Sequence, residues 1–127
     1  MKLSWKSVVI PLVVVGVGAT GVLQSKSEKS CNELVDASNA VIEPANKATS
    51  AEQLTALLPK MQAGAADIRA MASEFDKPFN TDATDVATAL DGIAAAISRQ
   101  DGAAYDAAID KFNVVIDRTN SDCDRES

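Results

Sequence analysis

Asp82-Ala83-Thr84-Asp85-Val86-Ala87-Thr88-Ala89-Leu90-Asp91-Gly92-Ile93-Ala94-Ala95-Ala96-Ile97 is the stretch that decides the fold. Ala83, Val86, Ala87, Leu90, Ile93, Ala94 and Ile97 recur at the three-and-four spacing of one helix face. Asn80 or Thr81 stands where a cap belongs. Asp82 and Asp85 occupy the first turn and Arg99 the last, each where the helix dipole favours its charge.

The same reading extends outward in both directions. Asp101 is placed to cap a following helix with Ala104, Tyr105, Ala108, Ile109, Phe112, Val115 and Ile116 inside. The polar tail from Asp122 to Ser127 is expected to fray beyond Cys123. Upstream, Lys77-Pro78-Phe79-Asn80 reads as a loop. Before it, the capping-box pattern Thr49-Ser50-Ala51-Glu52 opens a helix. Its stripe is Leu54, Leu57, Leu58, Met61, Ala65, Ile68, Ala72 and Phe75, and Pro59 should kink or split it. A first helix opens at the box Ser30-Cys31-Asn32-Glu33 and buries Cys31, Leu34, Val35, Ser38, Val41 and Ile42. Pro44 and Asn46 are expected to end it. No segment alternates like a strand. Short connections make sequential helices antiparallel neighbours, so the expected fold is all-α, a small up-down-up-down four-helix bundle.

The ends of the chain suggest its compartment. Lys2 and Lys6 precede the apolar run Val8-Val9-Ile10-Pro11-Leu12-Val13-Val14-Val15-Gly16-Val17 and the small residues Gly18-Ala19-Thr20-Gly21. That layout predicts a signal peptide over 1–27 and one helical domain over 28–127, cut after Ala19, Gly21 or Ser27. The alternative is a retained anchor, but Pro11 and the glycines interrupt a run already shorter than the roughly 20 apolar residues of a spanning helix. Cys31 and Cys123 are the only cysteines. In an oxidising compartment they are expected to pair rather than stay free. An even number of alternating helices would also return position 123 to the end where 31 lies.

Removing 1–27 takes three of the 12 basic residues and none of the 18 acidic ones, leaving a net charge of about −9. A surface so acidic argues against nucleic acid or anionic lipid as a partner. The chain has no histidine, so the usual serine and cysteine nucleophiles lack their base and the common zinc sets lack a ligand. No Gly-rich phosphate loop appears. Asp106, Asp110 and Asp117 share a helix face but carry no calcium-loop pattern, and read as a solvated face rather than a cation site. Met61, Met71 and Tyr105 read as core rather than haem contacts. An enzyme, a metal and a cofactor are not expected. Alanine, in contrast, is abundant: Ala63, Ala65, Ala66, Ala70 and Ala72 in the second helix, Ala87, Ala89, Ala94, Ala95 and Ala96 in the third. Alanine is the best helix former, and alanine-faced helices also suit close association between subunits.

Taken over its whole length, this pattern of signal, acidic body of about a hundred residues, four short helices and the Cys31–Cys123 pair near the two ends resembles the small α-helical channel proteins of the corynebacterial mycolate outer membrane, the PorB/PorC anion-selective porins. The resemblance implies a homo-oligomer in the outer envelope, in contact with its lipids, passing small anions through a water-filled pore. Lys111, Arg99, Lys60 and Arg69 are the helical cations that could form selectivity rings, Lys111 first among them; an ordinary surface ion pair is the alternative for each. The competing expectation is a soluble secreted helical module that binds a small apolar ligand or a partner protein.

Overall fold

The computed structural model describes residues 26–126. The expected signal segment up to residue 25, its cleavage positions at Ala19 and Gly21, and Ser127 lie outside the described residues. Five helices follow in order: α1 (Lys26–Lys47), α2 (Ala51–Ala56), α3 (Leu58–Ala72), α4 (Phe79–Arg99) and α5 (Gly102–Glu126). No strand occurs among the described residues. The fold is all-helical, as the periodicity requires. It has five helices where four are expected, because the second divides.

That division follows from proline. Pro59 cannot donate a backbone hydrogen bond, which is harmless in the first turn of a helix and costly inside one. The chain therefore breaks at Leu57 and restarts, leaving Pro59 in the first turn of α3. Ser50 caps α2 by accepting from the Gln53 N–H at 3.2 Å, while Gln53 Oε1 accepts from the Thr49 N–H at 2.6 Å. The cap is Ser50, one residue later than expected, and Gln53 reaches back past it to Thr49 rather than closing a reciprocal box.

Two expected boundaries of α1 are corrected. The helix starts at Lys26, so Ser30 is buried within it rather than capping it. It also runs through Pro44 to Lys47. The bond that Pro44 forfeits would end on the carbonyl of exposed Ala40, where water can replace it. α4 likewise begins at Phe79, ahead of both expected caps, and Asn80 Oδ1 instead accepts from the Thr81 N–H next to it. Its C-terminus closes on Gln100 in the left-handed conformation (φ 54°), with the Gln100 and Asp101 N–H groups bonded to Ile97 and Ala96 carbonyls. Asp101 Oδ1 then caps α5 through the Ala104 N–H at 3.0 Å, as expected. The tail does not fray at Cys123, since α5 continues to Glu126.

α4 is the central element. It packs along α3 and along α5, while α1 contacts α3, α4 and α5. All seven residues of its stripe are buried, and Ala89 and Ala96 are buried as well. Phe79, Leu90, Ile93 and Ile97 of α4 share the core with Leu34 and Ile42 of α1, Met61 and Ile68 of α3, and Tyr105, Phe112 and Ile116 of α5. Cys31 and Cys123 are bonded, with Cα atoms 5.7 Å apart, and join α1 to α5.

The α1–α3 contact depends on one missing methyl group. A Cβ at Gly64 would collide with Cγ2 of Val41, whereas at Gly92 it would rest 3.8 Å from the Ala108 Cβ, an ordinary contact. Alanine gains helix propensity over glycine by about 0.5–1 kcal/mol, but overpacking costs about 1–3 kcal/mol. Gly64→Ala is therefore expected to lose about 1 kcal/mol net and Gly92→Ala to gain about 0.5–1 kcal/mol, measured by urea denaturation.

Candidate functional site

The antiparallel pair α4 and α5 carries an open groove of about 760 Å³ lined by these two helices alone. Its shape comes from side chains that stop at Cβ. Ala89 and Ala108 form the floor, each 9% exposed, and Gly92 faces Ala108 across it. Ala104 and Ala107 extend the small-residue wall along α5. Val114 stands on the rim at 68% exposure, the only large hydrophobic residue so exposed among the described residues.

Apart from Thr88, the polar residues that line this mostly apolar concavity are charged: Asp85 and Arg99 from α4, Asp110 and Lys111 from α5. Asp85 Oδ2 accepts from Arg118 Nη2 at 2.5 Å. Arg99 and Lys111 make no ion pair among the described residues. Of the four cations singled out from the sequence, these two share the groove. The other two lie elsewhere. Lys60 borders a smaller depression of about 240 Å³ between α1 and α3, beside Val41 and Gly64. Arg69 reaches from α3 to Asp91 of α4 at 2.7 Å, with both side chains about half exposed. Within one chain the four do not converge on a common constriction.

Tyr105 belongs to the core. Its ring is fully buried and its hydroxyl finds no hydrogen-bond partner; burial, and then the charge of Asp106, push the phenol up to about 12. Among the described residues no group of three His, Cys, Asp or Glu side chains converges to hold a metal ion. Nor is any described helix long and apolar enough to cross a membrane.

A second polar cluster sits where the first turn of α4 meets the last turns of α5. Arg118 forks there, Nε donating to Asp82 Oδ1 at 2.8 Å and Nη2 to Asp85. Arg125 donates to Asp122 one turn later. Asp82 and Asp122 are buried, their side chains 1% and 7% exposed. Sequence reasoning placed Asp82 only as a helix-dipole residue. One signal was available: Asp82 precedes Val86 by four, on the spacing of the buried stripe. No family model matches this chain, and comparison with curated proteins and with solved structures finds no match.

Proposed function

We propose that the protein is an exported, non-enzymatic helical module that works by binding a second copy of itself across the open face of α4 and α5. One observation carries the reading. Asp85 and Arg99 both line the groove, and they stand seven residues to either side of Gly92. Seven residues are close to two helical turns, so all three share one face. A two-fold axis beside Gly92 would run α4 antiparallel to its copy, bringing each Asp85 to the second copy's Arg99. Asp85 gives Oδ2 to Arg118 and retains Oδ1 as an acceptor. Such a face is self-complementary, as an isologous interface must be. Glycine and alanine at the crossing allow close backbone approach, and the second copy's Val114 would be withdrawn from water. A small ligand fits less well, because two helices cannot enclose most of its surface.

Sedimentation of the oxidised chain over a concentration series tests this. The expected result is a monomer–dimer equilibrium. Arg99→Asp turns two attractions into two repulsions, together about 1.4 kcal/mol, so affinity should fall about tenfold. Gly92→Gln keeps the helix and obstructs the crossing, and should leave a monomer. A wild-type chain that stays monomeric throughout, or a Gly92→Gln chain that associates like wild type, removes the proposal. Channel activity, implied by the porin resemblance, is a proposal about the assembly, with Arg99 and Lys111 as its candidate selectivity residues. Planar-bilayer recording on the associated sample reads it: anion-preferring conductance steps support it, and silence sinks it.

A further inference from the structure

The corner where α4 meets the end of α5 holds an acid pair that the association reading does not use. Asp82 Oδ1 is bonded to Arg118, but Asp82 Oδ2 is buried with no donor. The neighbouring acid that acts on Asp82 is Asp122, itself buried and held by Arg125. Two ionised carboxylates are both acceptors and cannot bond to each other; with a proton on one of them, they can. Charge bookkeeping agrees. Asp82, Asp85 and Asp122 face Arg118 and Arg125 in this cluster, so one proton makes the corner neutral and its loss leaves a buried surplus of negative charge.

We infer that Asp82 and Asp122 share one proton that fastens α4 to α5 beside the Cys31–Cys123 bond, and that losing this proton loosens that end of the molecule. The placement makes it a clasp: Asp122 directly precedes Cys123, so α1, α4 and α5 meet at this point. Burial first, and then the hydrogen bond with Asp122, raise the Asp82 carboxyl from 3.8 to about 7; Arg118 opposes the rise. The charged groups acting on Asp82 are Asp122 and Arg118, both from α5.

The direction of the pH effect follows. Between 3.8 and about 7 the folded chain holds a proton that the unfolded chain has released. Stability from this pair is complete below 3.8 and is lost as pH rises through about 7. One linked proton raises the unfolding constant up to about tenfold per pH unit across that window. With no histidine in the chain, no side chain of ordinary pKa titrates between about pH 5.5 and about pH 7.5, so the effect stands alone.

Denaturant unfolding of the oxidised chain from about pH 5 to about pH 8.5 should show the unfolding constant rising about a hundredfold. Asp82→Asn imitates the protonated acid, its amide donating to Asp122 while its oxygen accepts from Arg118. That variant should lose the pH dependence and exceed wild type in stability at the alkaline end. Asp122→Asn should weaken the dependence, since burial alone still raises the Asp82 carboxyl. Infrared spectra should show a protonated-carboxyl band at about pH 5.5 that disappears by about pH 8.5 and is missing from Asp82→Asn. A flat wild-type profile, no such band, or an unaltered profile in both asparagine variants would overturn the inference.

Discussion

Replacing Cys31 and Cys123 together by alanine is expected to cost the fold about 4–5 kcal/mol. The bond spans a sequence separation of 92 residues. Releasing it returns the entropy of an almost chain-length loop to the unfolded ensemble, and this is the source of the number. Against a total stability of about 5–15 kcal/mol for a domain, the loss is a large fraction. It corresponds to a drop in Tm of roughly 20–30 °C for a domain near a hundred residues. The damage should start with α1. That helix meets the bundle through its contacts with α3, α4 and α5, and the disulfide is its one covalent attachment to α5. Hydrogen exchange of the double alanine variant should therefore show α1 amides losing protection before those of α4. Thermal denaturation with and without a reductant gives an independent measure on the unaltered sequence. A shift under about 5 °C would show that the loop closure contributes little.

Phe112→Ala is the second large effect, about 3–5 kcal/mol. Phe112 is 1% exposed and lies in the core shared by α1, α3, α4 and α5. Truncation removes a ring's worth of apolar burial and leaves a void that neighbouring helices, braced by their own packing, fill only in part. Val114, two residues later and 68% exposed, provides the contrast. Val114→Ala should change stability by no more than about 0.5 kcal/mol, while weakening association across the α4/α5 face. Urea denaturation measures the first quantity and sedimentation the second. Equal stability losses at both positions would contradict the division of α5 into a core face and an open face.

Much of the fold was legible because helix formation and helix burial obey short-range rules. The stripe from Ala83 to Ile97 is buried throughout, since residues three and four apart share a face whatever the tertiary contacts. Asp101 caps α5 for an equally local reason. Pro59 marks a break by its chemistry alone, and Leu57 is where it falls. The errors sit at boundaries. Pro44 reads as a stop, yet a proline near the end of α1 sacrifices one bond at a wet position while the rest of α1 still packs, and the packing wins. Ser30 reads as a cap, yet its position beside Cys31 is buried, where continuing the helix satisfies the backbone better.

The candidate site was half legible. Alanine content reads equally as helix propensity or as close helix association, and Lys111, Arg99, Lys60 and Arg69 stand together as candidate cations. That Arg99 and Lys111 share a groove while Arg69 is tied to Asp91 depends on how α3, α4 and α5 are set against one another. By itself, then, the sequence determined that the chain is helical, which face of each helix turns inward, and which two cysteines could close it. Only the tertiary structure decided that Arg118 reaches Asp82 across 36 residues and that Asp82 and Asp122 are both buried. Helical periodicity is set by neighbours within one turn, whereas the shared burial of two acids depends on how two helices are docked, which no local spacing encodes.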